Sequence, residues 1–187
     1  MKRQPRTQSL AHAQGFTIIE ALIATVILVV SLTALAGLFA QSLTFLQYTQ
    51  DDLVAKQKAT EALEGVYSAR NDASVGFASI QNKSAGGIFN DGFQPLFVPG
   101  PNGIVGTTSD TTTLESETLP GPDGIIGTAD DVIVPLINLQ RQILIQPVNN
   151  PDGSVSVDLR QITVTIRVNS SGRVHDYTVT GYVSRYQ

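Results

Sequence analysis

The sequence predicts an α+β protein: one long N-terminal helix, a Gly/Pro/Asp-rich loop region, and a small antiparallel β-sheet packed on the outer half of that helix. Three observations predict it. Residues 21–50 contain no charged side chain. No proline occurs between Pro5 and Pro95, and only Gly37 and Gly65 interrupt residues 16–70. Beyond residue 140, apolar and polar side chains alternate, the pattern of strands with one buried face. At 187 residues the chain suffices for one globular domain and one additional element.

The first element is the apolar half of the helix, residues 16–50. In Ala21–Ala40 only Thr25, Ser31, Thr33 and Gly37 fall outside the apolar set. Twenty helical residues rise about 30 Å, the thickness of a bilayer's hydrocarbon core. Lys2, Arg3 and Arg6 precede this stretch and Asp51-Asp52 follow it, which predicts a single span with a cytoplasmic N-terminus and an exported remainder. A secretory signal is ordinarily cut at small residues beyond its apolar core. Here Ala11, Ala13 and Gly15 come before that core, so a basic leader of residues 1–15 is expected to be removed and the apolar helix retained.

The junction reads Gly15-Phe16-Thr17-Ile18-Ile19-Glu20, with Leu22 and Ile23 continuing the aliphatic stretch. It resembles the prepilin peptidase site of the type IV pilin and type II secretion pseudopilin superfamily: a short basic leader ending in Gly, an aromatic residue, an aliphatic stretch, and Glu at the fifth mature position. The resemblance covers about residues 1–70. It implies cleavage after Gly15, Phe16 as the first mature residue and a target of N-methylation, and Glu20 as the assembly residue that pairs with the N-terminal amine of a neighbouring subunit. It also implies the partners: prepilin peptidase/N-methyltransferase, other pilin or pseudopilin subunits, an inner-membrane assembly platform and membrane lipid. The location implied is the inner membrane and then a periplasmic or cell-surface filament. Major pilins commonly carry Pro where this chain has Gly37, so the likeness is closer to minor pilins and pseudopilins. On physical grounds alone, a carboxylate in an apolar helix costs ~3 kcal/mol to insert. Glu20 is therefore either held for a partner charge or reaches back to the headgroups.

Residues 51–72 form the outer, amphipathic half of the helix. Leu53, Ala55, Ala59, Ala62, Leu63, Val66 and Ala69 recur at three- and four-residue spacing, which predicts a stripe packed on the protein's core. Lys56, Lys58, Glu61 and Arg70 are expected in solvent or at subunit contacts, with Asn71-Asp72 and Gly76 ending the helix.

Residues 73–138 are expected to be loop-dominated, with short strands. Between Lys83 and Arg141 there are seven acids and no base. An internal repeat lies within: Pro99–Asp110 (PGPNGIVGTTSD) aligns without gaps to Pro120–Asp131 (PGPDGIIGTADD). Hard cations such as calcium take carboxylate and carbonyl oxygens from turn-rich backbone. Asp123, Asp130 and Asp131 offer such a set in the second copy, and Asn102 and Asp110 a reduced one in the first. The same residues also fit plain Pro-Gly turns capped by their own Asp side chains.

Residues 139–187 carry the sheet. Ile143–Ile145, Ile162–Val168 and Tyr177–Val183 read as strands, joined by turns at 149–153 and 169–172. Tyr177, Tyr182 and Tyr186 are expected half-buried, and His175 has no identifiable partner.

Composition limits the function. Cysteine is absent, and the two His residues, His12 and His175, are far apart in sequence. Of 12 basic and 16 acidic side chains, three bases lie in the leader, which leaves nine against sixteen. A nucleic-acid binder ordinarily has the opposite balance. No phosphate loop, nucleophile elbow or His-Glu-x-x-His motif occurs, so the chain reads as a non-enzyme. The expected function is a minor structural subunit of a type IV pilus or related pseudopilus. The alternative is a single-span anchored binding module outside the cytoplasm that joins no filament.

Overall fold

The computed structural model describes residues 16–71, 74–170 and 172–186. The expected leader, with Gly15 at its end, lies outside the described residues, as does Asp72. The chain divides into two compact units, residues 1–46 and 47–187, and helix α1 (Ile18–Asn71) contributes to both.

In the first unit α1 begins after Thr17, whose hydroxyl accepts a hydrogen bond from the Glu20 N–H at 3.3 Å. Thr17 with Glu20 three residues on is the sequence signature of a capping box. The most apolar 18-residue stretch of α1 has a mean hydropathy of 2.6, and none of it is buried in the protein. By length and composition this helix can cross a membrane. Its hydroxyls raise no objection. Thr25, Ser31, Thr33, Ser42 and Thr44 each donate to a carbonyl three or four residues earlier, so each is satisfied within the helix.

The second unit is built on an antiparallel sheet of four strands in the order β1 (Gln94–Pro95), β4 (Leu139–Asn149), β5 (Val155–Ser170), β6 (Arg173–Ser184). A separate hairpin pairs β2 (Ser116–Leu119) with β3 (Val132–Pro135). The strands predicted beyond residue 139 are all present, and a turn within 149–153 joins β4 to β5. On β5 the side chains of Ile162, Val164, Ile166 and Val168 are fully buried, and Ile143 and Ile145 of β4 join them on that face. The helical stripe belongs to the same cluster: Ala55, Ala59, Ala62, Leu63, Val66 and Ala69 are buried. Leu53 is the exception at 63% exposed, because it lies two residues before Ala55 and so on another side of the helix.

Small side chains let helix and sheet approach closely. A Cβ added at Gly181 of β6 would overlap the Tyr67 hydroxyl and come within 3.0 Å of Leu63 Cδ1. That hydroxyl accepts the Tyr182 N–H at 3.2 Å. Residues 74–138 are mostly loop, as their composition predicts, yet they supply Ile80, Phe89, Leu96, Ile104, Val105 and Leu136 to the core. Buried Asn82 acts as a substitute strand residue. Its amide donates to Ile143 O at 2.7 Å, and its carbonyl accepts Ile145 N–H at 2.8 Å.

Several charged residues of α1 are not where the sequence predicts. Lys58, expected in solvent, is largely covered: its ammonium lies 2.8 Å from Glu115 and 2.9 Å from Glu61. Burial pulls its pKa down, but the two carboxylates outweigh this and hold it above the ordinary lysine value. Glu115 is buried and also pairs with buried Arg141 of β4 at 3.0 Å. Arg70 donates to the carbonyls of Ser184 and Arg185, and so ties the end of α1 to the end of β6. His175 does have a partner, with Nε2 2.6 Å from Asp52 Oδ1. Tyr177 is half-buried as expected, whereas Tyr182 and Tyr186 are 54% and 71% exposed. Tyr182 stands on the sheet face opposite the core, since Ile162 and Val164 of β5 face Gly181 and Val179.

Glu115 is thus the shared acceptor of two cations. Glu115→Gln is expected to destabilise the domain by roughly 3–5 kcal/mol, because it leaves Arg141 buried without its counter-charge. Urea unfolding checks this, and Glu115→Leu combined with Arg141→Met is expected to recover most of the loss.

Candidate functional site

Two regions carry the residues singled out by sequence: the start of α1 and the repeated loops. At the start of α1, Phe16 is 77% exposed, and Glu20 is exposed in the first helical turn. A carboxylate there is favoured by the positive end of the helix dipole, and it stands one turn from residue 16. Every residue from Ile18 through Leu46 is exposed, and most of them are apolar.

The repeated loops share one local structure. Gly103 N–H donates to Gly100 O at 3.0 Å, and Gly124 N–H to Gly121 O at 3.0 Å. Ile104 N–H donates to Asn102 Oδ1 at 3.1 Å, and Ile125 N–H to Asp123 Oδ1 at 2.8 Å. Gly106 N–H reaches Asp110 Oδ2 and Gly127 N–H reaches Asp131 Oδ2, both at 2.7 Å. Thr107 and Thr128 each return their hydroxyl to the carbonyl three residues earlier. The glycine after the aliphatic pair is left-handed in both, with φ of 76° at Gly106 and 98° at Gly127, which a side chain would strain. Asx-type turns of this kind follow from Asn or Asp placed two residues before a free N–H.

The surroundings differ. Ile104, Val105 and Thr107 of the first copy are buried. Asn90 embraces this copy: its N–H donates to Gly106 O and its amide to Thr107 O, both at 2.9 Å. Ile125 and Ile126 of the second copy are 60% and 64% exposed. The second copy forms the tip of the β2–β3 hairpin, whose Val132 and Ile133 are also exposed.

The structure therefore brings Asp123, Asp130 and Asp131 into one loop and Asn102 and Asp110 into the other. In each loop most of these oxygens turn toward the loop's own donors, while Asp131 Oδ1 has no hydrogen-bond partner among the described residues. Asp130 accepts the Thr128 hydroxyl at 2.6 Å and the Asp123 N–H at 3.3 Å. Among the described residues, no group of three or more His, Asp or Glu side chains is placed to hold a metal ion. The capped-turn reading accounts for each contact of these five residues.

No family model, curated protein or solved structure matches this chain.

Sequence reasoning missed the Lys58–Glu115–Arg141 cluster at the base of the hairpin. Leu136 N–H donates to Glu115 O at 2.9 Å, so the residues flanking β2 and β3 are fixed in the core while the tip is not. The available signal was Glu115 itself, an acid between the apolar Leu114 and a strand in a segment without bases.

Asp110 and Asp130 differ in opposite directions from an ordinary aspartate. Burial pushes Asp110 above 3.8 despite N–H donors from Gly106 and Thr107. The Thr128 hydroxyl holds Asp130 below 3.8. The folded domain thus binds the Asp110 proton more tightly than the unfolded chain does, so stability is lost as pH rises through the interval above 3.8. For Asp130 the stabilisation is complete above 3.8 and is lost as pH falls through the lower folded value. Carboxyl-carbon NMR titration is expected to place the Asp110 midpoint above 3.8 and the Asp130 midpoint below it.

Proposed function

We propose that this chain is the precursor of a structural subunit, a minor one, of a type IV pilus or related pseudopilus. The observation that supports this most is a helix apolar enough to cross a bilayer, with its hydroxyls internally satisfied, that follows directly on the junction Gly15–Glu20. In this reading prepilin peptidase removes residues 1–15 and frees the amine of Phe16, which the same enzyme methylates. The chain is a substrate of these activities and catalyses none. The retained helix stores the subunit in the inner membrane. On assembly it exchanges lipid contacts for the helices of neighbouring subunits, an exchange driven by packing rather than by removal from water. Glu20 then finds a neighbouring amine, which offsets the ~3 kcal/mol cost of a carboxylate in an apolar setting and fixes axial register.

An anchored binding module that joins no filament is the second reading, and the exposed apolar hairpin favours it. Fractionation of cells that make the protein separates the two. The proposal expects wild-type chain in sheared filaments, Gly15→Ala uncut and confined to membranes, and Glu20→Gln cut but recovered in filaments at roughly tenfold lower yield, the loss of one charge pairing of about 1.4 kcal/mol. Wild-type chain found only in membranes would leave the anchored module. Glu20→Gln at wild-type yield would remove the assembly role of Glu20.

A further inference from the structure

We infer that the β2–β3 hairpin is a docking arm for a second, different protein that offers an apolar pocket with a basic side chain at its edge. Ile125 and Ile126 enter the pocket, and Asp131 meets the base.

The first copy of the repeat is an internal template for what this loop buries. In it the aliphatic pair Ile104-Val105 is buried, Thr107 pairs with Phe89, and Gly106 lies against Ile143. Asn90 supplies donors to the Gly106 and Thr107 carbonyls. A cation is part of the setting: Arg141 Nε lies 3.9 Å from where a Cβ on Gly106 would stand. The second copy repeats the hydrogen bonds of the Gly103, Ile104 and Gly106 N–H groups, with Asp123 in place of Asn102, but its Ile125-Ile126 pair faces solvent. Asp131 Oδ2 accepts the Gly127 N–H as Asp110 Oδ2 accepts that of Gly106. A loop that has its own wall in one copy and lacks it in the other is incomplete in a defined way. What it lacks is an aliphatic–aromatic pocket and one base.

Charge decides the occupant. No base occurs between Lys83 and Arg141, so the arm carries Glu117, Asp123, Asp130 and Asp131 with no base of its own. A second copy of this chain is a poor occupant. Its open groove of about 860 Å³ beside Leu53 and Leu119 is lined by Asp51, Glu61, Glu64 and Glu117 against the single Lys56. Acid would then face acid, at a cost in the contact and in the encounter rate. A basic partner has the complementary charge. The arm is also pre-ordered, because its base is fixed by the Glu115 ion pairs and by Leu136 in the core, so docking gives up little conformational freedom. Exposed aliphatic residues grouped at the tip of an arm with an anchored base are the usual mark of such a contact.

The test uses the full chain in the cells that make it, with a photoreactive amino acid in place of Ile126 and cross-linked peptides mapped by mass spectrometry. The expected result is one adduct with a protein other than this chain, at a peptide that places Lys or Arg beside aliphatic or aromatic residues. Asp131→Asn retains an acceptor for the Gly127 N–H and removes only the charge, so it is expected to lower the adduct yield roughly tenfold. Its thermal unfolding is expected to match wild type. An adduct with a second copy, with lipid, or with an acidic or uncharged surface overturns the inference. So does the absence of an adduct, or an Asp131→Asn yield equal to wild type. The readout is the same whether or not the chain enters a filament, so its failure is distinct from failure of the subunit reading.

Discussion

Four alanines, at 55, 59, 62 and 69, set how closely helix α1 lies on the sheet, and the rest of the second unit is arranged around that spacing. Each methyl group contributes little burial on its own, but a larger side chain at any of them would force helix and sheet apart. The close approach is why β6 has glycine at 181, where a Cβ would strike Tyr67, and why Tyr67 can accept a backbone N–H from β6. It also brings Lys58, one residue before a core alanine, within reach of Glu115, and through Glu115 to Arg141 of β4. The ion pairs follow from the packing, and they transmit its order to the base of the hairpin.

The two repeat copies separate local from tertiary causes. The same Pro-Gly-Pro-Asx-Gly-Ile run folds into the same turns at both places, held by hydrogen bonds within the loop. What surrounds it decides the rest. In the first copy Phe89, Asn90 and Ile143 hold Gly106 and Thr107 and the aliphatic pair is buried in the core, whereas in the second it is left at the tip of a hairpin. Local code fixes the shape of the loop, and tertiary packing fixes its role. The difference at Ser109 and Asp130 fits this. In the second copy the acid takes the Thr128 hydroxyl, while in the first Ser109 and Asp110 both lie within hydrogen-bonding distance of Thr107.

Sequence periodicity was a good guide wherever one element decides its own burial. The absence of charge and proline through residue 50 marked the helix, and the alternation Ile162-Thr-Val-Thr-Ile marked β5. Leu53 broke from its stripe because the buried positions run 55, 59, 62, 66 and 69, and 53 falls on another side. The distant partners of Lys58, Arg70 and His175 were not legible, since Glu115, the end of β6 and Asp52 lie 57 to 123 residues away and only the fold brings them together. Thr17 was legible and overlooked: Thr-x-x-Glu before an apolar run is a start signal for a helix, and it gives Glu20 a local setting beside its proposed role in assembly. The mostly loop middle hid six core residues, because no period marks a side chain whose burial depends on the sheet beside it.

Retention of the apolar helix with removal of the basic leader is the claim from which the subunit reading descends. The intact mass of the protein extracted from its own membranes, with sequencing of its first peptide, tests it most directly. A chain beginning at Phe16, with or without one added methyl group, is the predicted result. A chain that still carries Lys2 and Arg3 in cells with active prepilin peptidase, or one cut beyond Ala40 so that the apolar segment is lost, would contradict it.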